Sequence, residues 1–109
     1  IAIVLTHILG FNGLSNDLIK IIKKKKLFLI EDVCESHGAK FNGKKLGNFG
    51  NCSNFSFYFA HHMSTIEGGM VSTNDKNIYE FSRIIRSHGM NREHDNLNLK
   101  KKTSKNFQI

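Results

Sequence analysis

The chain has 109 residues, of which 39% are hydrophobic and 23% charged, a balance typical of one globular domain and not of a disordered segment. Its net charge of +7 comes largely from lysine runs at residues 23–26 and 100–102, which no nucleic-acid-binding motif accompanies, so we expect no nucleic-acid partner. Cys34 and Cys52 form neither a disulfide framework nor a C-x-x-C pair, and no apolar run is long enough to span a membrane, so we expect a cytoplasmic protein.

A strand–helix–strand unit is predicted for the first part of the chain. Residues 1–9 form a near-continuous apolar run rich in β-branched residues, typical of a strand buried on both faces, and residues 27–30 form a second short run. Residues 14–26 have helical periodicity after a polar start. The apolar stripe of this helix is predicted to consist of Leu14, Leu18, Ile21 and Ile22. A short helical connection predicts that the two strands are parallel.

The second part of the chain is predicted to contain two more strands and a helix. Residues 40–53 carry three glycines and are predicted to form turns or a short hairpin. Strands are predicted at residues 54–59 and 70–73, either as antiparallel neighbours or around a sharp bend. A helix is predicted at residues 76–87, and a loop at residues 91–105. The buried stripe of this helix is predicted to consist of Ile78, Phe81, Ile84 and Ile85.

Polar side chains concentrate where the predicted strands end. His7 is either a satisfied buried polar residue or a group that faces a ligand. Asp32 is either a helix N-cap or a site acid, and we favour the site because residues 33–39 are too polar and glycine-terminated for a long helix. The third strand leads into His61 and His62. In open α/β sheets ligands bind beyond the carboxyl ends of the strands.

Three kinds of site are considered for these residues. A metal site could draw on His37, His61, His62 and Glu67. These residues lack the spacing of helical zinc motifs, so we expect no metal site. A second possibility is a cysteine nucleophile, but no glycine-framed nucleophile motif surrounds Cys34 or Cys52, so we do not expect one. A pyridoxal-type site needs an acid for the pyridine nitrogen, hydroxyls for the phosphate and normally a lysine. Asp32 and Ser56 suit the first two needs, but residues 46–75 contain no lysine.

Two stretches, IEDVCESHGAKFNGKKLGNFGNCSNFSFYFAHHMSTIEGGMVST and RSHGMNRE, resemble the DegT/DnrJ/EryC1/StrS family of vitamin B6-dependent sugar aminotransferases. The resemblance implies an α/β fold, namely a fragment of the large domain of fold-type I pyridoxal phosphate (PLP) enzymes, with a mostly parallel sheet and flanking helices. Residues 1–109 would then be a partial cofactor-binding domain. We expect an N-terminal segment and a C-terminal small domain to be missing from it.

The resemblance also implies roles for individual residues. Ser56 matches a family serine that lies five residues before the Schiff-base lysine, and residues 67–69 match the family's E-G-G. The lysine position falls on His61. Asp32 falls on the acid that pairs with the pyridine nitrogen, and Glu35 falls where the family usually has Gln or His beside the cofactor ring. The implied site is therefore catalytic His61 with cofactor-binding Asp32, Glu35 and Ser56.

Histidine in place of this lysine resembles one branch of the family, the 3-dehydratases of nucleotide-linked 4-keto-6-deoxyhexoses. These lyases use pyridoxamine 5′-phosphate (PMP), which needs no lysine anchor. The resemblance implies C3 deoxygenation in deoxysugar biosynthesis for a surface polysaccharide such as lipopolysaccharide, with His61 as the base. Imidazole suits proton removal at neutral pH, whereas lysine would be a better covalent anchor. His62 is a candidate for a supporting residue behind the groups that contact the cofactor.

Partners follow from the same resemblance. The branch has an iron–sulfur subtype, which this chain resembles at Cys34 but which also needs a cysteine cluster further on. Residues 87–109 contain no such cluster. This favours the cluster-free subtype, in which glutamate regenerates the amine. Cys34 is then a small buried hydrophobic residue. We expect a nucleotide-sugar substrate, glutamate as amino donor and a homodimer when full length. The alternatives are a PLP-dependent nucleotide-sugar aminotransferase, which the missing lysine disfavours, and an inactive truncated product of the family.

Overall fold

The chain divides into two compact units, Ile1–Asn74 and Asp75–Ile109, and the computed structural model describes residues 1–90. The first unit contains, in chain order, β1 (Ala2–Thr6), a 3₁₀ turn (Ile8–Gly10), α1 (Asn16–Lys25), β2 (Phe28–Asp32), β3 (Lys40–Phe41), β4 (Lys44–Lys45), β5 (Cys52–Ser56) and β6 (Gly69–Thr73). The described part of the second unit contains α2 (Lys76–Arg86). The loop predicted at residues 91–105 lies outside the described residues.

Four strands of the first unit form one sheet in the order β1-β2-β5-β6. β2 is parallel to both β1 and β5, whereas β6 is antiparallel to β5. The predicted parallel pair, antiparallel pair and mostly parallel sheet are thereby confirmed. In register, Asp32 lies between Thr6 on β1 and Asn54 on β5. The carboxyl ends of three strands therefore meet at one edge of the sheet.

The helix predicted between the first two strands is confirmed as α1. The hydroxyl of its N-cap Ser15 accepts a hydrogen bond from Leu18 N–H at 3.1 Å, and three lysines occupy its last turn, where cations suit the helix dipole. The predicted stripe is wrong at Ile21, which is 51% exposed. Ile19 packs on the core instead, because it lies three residues before Ile22 on the inward face. The core consists of Leu14, Val33 and Leu46, with Leu5, Ile19, Ala39, Phe41, Phe49 and Phe55 against them.

The bounds of the predicted strands differ most from the observed ones at β1 and β5. β1 ends at Thr6, because the chain turns at Leu9, whose φ of 51° is incompatible with a strand. The prediction that β1 is buried on both faces is wrong, since Val4 is 65% exposed. β1 is an edge strand, and its alternate side chains point to a face that the described residues leave uncovered. β5 runs from Cys52 to Ser56 and ends three residues before the predicted end.

The glycine-rich segment folds as the predicted hairpin. β3 and β4 pair antiparallel, and the two residues between them, Asn42 and Gly43, have φ values of 48° and 77°. Positive φ at both turn residues matches the right-handed twist of a tight hairpin, which is why Asn-Gly suits this position.

The second unit begins with the predicted helix. Asp75 is the N-cap of α2, and its carboxylate accepts hydrogen bonds from Asn77 N–H at 2.8 Å and Ile78 N–H at 3.2 Å. The predicted stripe is wrong at Phe81 and Ile85, which are 44% and 73% exposed. The buried residues of α2 are Glu80 and Ile84, which lie four apart and therefore share one face. No helix within residues 1–90 has the length and apolar character needed to cross a membrane.

Candidate functional site

Asp32 ends β2 as an ionised carboxylate. Its Oδ1 accepts hydrogen bonds from the Asn54 amide at 2.9 Å and from Cys34 N–H at 3.2 Å. Burial tends to raise the pKa of Asp32, but hydrogen bonds from Cys34, Asn54 and Thr6 outweigh burial and hold the pKa below the ordinary 3.8. No helix begins here, because residues 33–39 form turns. The N-cap interpretation of Asp32 is therefore wrong.

Glu31, the neighbour of Asp32, is a fully buried residue whose importance the sequence pattern does not reveal. Its Oε1 accepts hydrogen bonds from Phe49 N–H at 2.6 Å and Gly50 N–H at 2.7 Å, and its Oε2 accepts one from Gly47 N–H at 2.8 Å. The carboxylate thus fixes the glycine-rich loop before β5. An acid at the end of an apolar strand indicates a need for hydrogen-bond partners, but the pattern does not identify them.

His7 faces the protein interior. The residue is fully buried, its Nδ1 accepts a hydrogen bond from Gly13 N–H at 3.0 Å, and its Nε2 lies 3.3 Å from Glu31 Oε2. Its carbonyl accepts a hydrogen bond from the Ser36 hydroxyl at 2.5 Å. Of the two interpretations of His7, the satisfied buried polar residue is therefore the correct one.

An open pocket of about 390 Å³ lies beside these strand ends, lined by Leu9, Glu35, Ala60, His61 and His62. One of its walls is held by the Glu35 carboxylate, which accepts a hydrogen bond from Leu9 N–H at 2.9 Å. The structure thus brings Glu35 together with both histidines of the His-His pair. A carboxylate and two imidazoles in one concave site are suited to proton transfer.

His61 enters this pocket from the loop that follows β5. Its backbone N–H donates to the Tyr58 carbonyl at 3.0 Å, and its ring packs edge-on against the Tyr58 ring with centroids 5.7 Å apart. Its Nδ1 is buried and has no hydrogen-bond partner among the residues that the structure describes. Such an atom is typical of a site whose partner comes from outside the chain.

His37 lies next to His62 and, together with His61 and His62, forms a cluster of three histidines. Its ring lies edge-on against Phe55 and Phe57, with centroids 5.5 and 5.9 Å apart, and 6.1 Å from the His62 ring. Burial lowers the pKa of His37, and the nearby imidazoles of His62 and His61 lower it further. His37 is consequently neutral at neutral pH.

Cys34 does not have the character of a nucleophile. Burial, a hydrogen bond to Asp32 and the charge of that carboxylate together raise the pKa of its thiol to about 11, so the reactive thiolate is scarce at neutral pH. Within residues 1–90, no three His, Cys, Asp or Glu side chains cluster in a way that could hold a metal ion.

The sequence profile of the DegT/DnrJ/EryC1/StrS aminotransferase family matches residues 1–109. The chain belongs to this family. It is 42% identical over 91 residues to the GDP-4-keto-6-deoxy-D-mannose 3-dehydratase of Yersinia pseudotuberculosis. This alignment covers 84% of the chain and 23% of that relative. The chain thus spans about a quarter of the length of the curated relatives it matches.

Solved structures of the family confirm the predicted fold. The E. coli GDP-4-keto-6-deoxy-D-mannose-3-dehydratase with bound hydrated PLP is 42% identical, with a TM-score of 0.77 over 84% of this chain and 23% of that one. A GDP-4-keto-6-deoxymannose-3-dehydratase with a trapped PLP-glutamate geminal diamine is 41% identical, with a TM-score of 0.77 over 84% and 24%.

In this member of the DegT/DnrJ/EryC1/StrS family, the four residues predicted for the site occupy two places. Glu35 and His61 line the pocket. Asp32 and Ser56 lie instead at the carboxyl ends of the adjacent strands β2 and β5. The Ser56 hydroxyl accepts a hydrogen bond from Tyr58 N–H at 3.2 Å, so its own proton remains for another acceptor.

The family's E-G-G stretch returns the chain from His61 to the sheet. Phe57 donates its N–H to the Gly68 carbonyl and accepts one from Thr65 N–H, both at 2.9 Å. A Cβ on Gly68 would lie 2.6 Å from Thr65 Oγ1, so the Thr65 hydroxyl, which donates to the Glu67 carbonyl at 2.8 Å, would have to move. The absence of a Cβ at Gly68 therefore allows the close packing of the loop that presents His61.

Proposed function

We propose that the protein is a PMP-dependent dehydratase that removes the C3 hydroxyl of a nucleotide-linked 4-keto-6-deoxyhexose. The observation that carries this proposal is the place of His61. His61 lies in the pocket wall, the motif around it predicts that it takes the place of the family's Schiff-base lysine, and residues 46–75 contain no lysine. A site without this lysine suits an amine cofactor that is held by non-covalent contacts alone. Two similar proteins are GDP-4-keto-6-deoxy-D-mannose 3-dehydratases, which supports the proposed dehydration.

The residues present fit a phosphorylated pyridine cofactor. Asp32, ionised by its hydrogen bonds, would hold a protonated pyridine nitrogen, and the free proton of the Ser56 hydroxyl would be donated to the phosphate. Glu35 would lie beside the ring. When bound, PMP or its aldehyde form PLP supplies the amine or carbonyl that reacts with the substrate and a ring that withdraws electrons.

His61 would act as the general base at the reacting centre. Its Nδ1 makes no hydrogen bond to any residue that the structure describes, so the protein does not fix the proton occupancy of this atom. Imidazole is the side chain best suited to exchange protons near neutral pH. The neighbouring His37 is held neutral by burial and by His61 and His62, which lower its pKa. A neutral His37 adds no positive charge that would oppose proton uptake by His61.

The remaining parts of the proposal concern partners. The glutamate adduct in the related dehydratase supports glutamate as the amino donor. We propose a nucleotide sugar as substrate, with the GDP-linked sugar named by the relatives as the first to test. We further propose a homodimer when full length and a cytoplasmic location. An ordinary nucleotide-sugar aminotransferase is the rival function.

Borohydride trapping separates the dehydratase from this rival. Full-length wild type, His61→Lys and His62→Lys are incubated with PLP, reduced, and examined by mass spectrometry. Wild type should retain no stoichiometric covalent cofactor, whereas His61→Lys should gain one equivalent because its amine occupies the family's anchor position. His62→Lys is the matched control and should gain none. One covalent equivalent on the wild-type chain would contradict the proposal and favour the aminotransferase.

A further inference from the structure

Asn54 lies beside Asp32 on the neighbouring strand. The two residues are paired in the register of β2 and β5, so their side chains share one face of the sheet. The Asn54 Nδ2 donates to Asp32 Oδ1 at 2.9 Å. On the other side of Asp32, its register partner Thr6 of β1 also lowers the pKa of the carboxyl by hydrogen bonding. Asp32 is therefore held from both neighbouring strands.

The orientation of the Asn54 amide follows from its surroundings. Nδ2 faces a carboxylate oxygen, which only accepts, and lies 3.2 Å from Cys34 Sγ. The amide nitrogen carries two hydrogens, and these two neighbours use both of them. The Asn54 carbonyl accepts the Val33 N–H at 3.0 Å, so backbone and side chain are tied to the same turn. Little rotational freedom remains in this side chain.

We propose that Asn54 is a positioning residue for the cofactor, because its amide keeps the Asp32 carboxylate ionised and correctly oriented for a protonated pyridine nitrogen. This inference rests on the proposed function. A charge-assisted hydrogen bond is about twice as strong as a neutral one, so the loss of this donor weakens the preference of Asp32 for its ionised form.

The test uses the full-length protein and two replacements at this position. Asn54→Leu keeps the number of side-chain heavy atoms and removes the donor, while Asn54→Asp keeps the shape and places a second carboxylate against Asp32. Carbon-13 NMR of the aspartate carboxyls, without cofactor, should show Asp32 titrating at higher pH in both variants than in wild type. The dissociation constant of PMP should rise about tenfold in Asn54→Leu. Asn48→Leu, an exposed asparagine that bonds the Lys45 carbonyl, is the matched control and should change neither quantity.

The Asp32 titration and the PMP dissociation constant test the positioning role of Asn54 separately from the proposed function. An unchanged Asp32 titration in folded Asn54→Leu or Asn54→Asp overturns the positioning role, whatever the cofactor does. A moved titration with unchanged PMP affinity contradicts instead the role of Asp32 in cofactor binding. A purely structural role for Asn54 predicts lower stability with no change in the Asp32 titration, and that result also overturns the inference. If Asn54→Leu does not fold, the smaller Asn54→Ala, which also removes the donor and adds no charge, carries both measurements.

Discussion

The Nε2 of His7 lies 3.3 Å from Oε2 of Glu31, and both side chains are fully buried. Glu31 also accepts three backbone N–H groups of the glycine-rich loop, while His7 accepts Gly13 N–H through Nδ1. The pair therefore links the end of β1, the end of β2 and two loops. Because Glu31 precedes Asp32 in β2, the pair fixes the strand end that carries Asp32.

Replacing Glu31 by Gln should lower the free energy of unfolding by about 3 kcal/mol. The change keeps the shape of the side chain but sets an NH₂ group against backbone donors that already occupy both oxygens. Urea denaturation of the full-length protein measures the effect. Glu67→Gln, on an exposed carboxylate, is the control and should leave stability unchanged. Equal effects of the two substitutions would contradict the role given to Glu31.

His7 should carry its proton on Nε2. Gly13 N–H can only donate, so the Nδ1 that accepts it is unprotonated, and Nε2 is left to donate to Glu31. Nitrogen-15 NMR of the imidazole distinguishes the two tautomers. A protonated Nδ1 would contradict the arrangement of this buried pair.

The Cys34 thiol should react slowly in the native state. Its pKa of about 11 lies two pH units above the ordinary 9.0, which reduces the thiolate fraction about a hundredfold at neutral pH. In a Cys52→Ser background, iodoacetamide should modify the native protein about a hundredfold more slowly than the urea-unfolded chain. Asp32→Asn should speed the native reaction, because the charge of Asp32 raises this pKa. Equal native and unfolded rates would contradict the burial of the thiol.

Two adjacent glycines offer a matched test of the loop that presents His61. Gly68→Ala should lower stability by about 2 kcal/mol and weaken PMP binding, because its Cβ would lie 2.6 Å from Thr65 Oγ1. Gly69→Ala should cost much less, since the nearest atom to its Cβ, the Phe55 carbonyl oxygen, lies at 3.4 Å. Denaturation and PMP titration measure both variants. A Gly69 variant as damaged as the Gly68 variant would contradict the steric account.

Local patterns predicted most of the sheet and the two helices. Apolar runs located β1 and β2, and the motif around His61 located the pocket. Exposure was harder to predict, because Val4 and Ile85 are apolar residues whose positions on an edge strand and on an outward helix face depend on tertiary packing. The hydrogen-bond roles of Glu31 and Asn54 could not be predicted either, since their partners lie 16–22 residues away in the chain.

The most direct test of the proposed dehydratase is product formation by His61→Asn. Full-length wild type, His61→Asn and His62→Asn are supplied with PMP, the GDP-linked 4-keto-6-deoxyhexose and glutamate, the amino donor that regenerates PMP after each turnover, and proton NMR follows conversion of the C3 carbinol to a methylene group. Wild type should form the deoxygenated sugar, while His61→Asn should lose about 10³-fold in turnover. PMP affinity should remain within about threefold, because Asp32 and Ser56 still hold the cofactor. Undiminished turnover in His61→Asn would contradict the assignment.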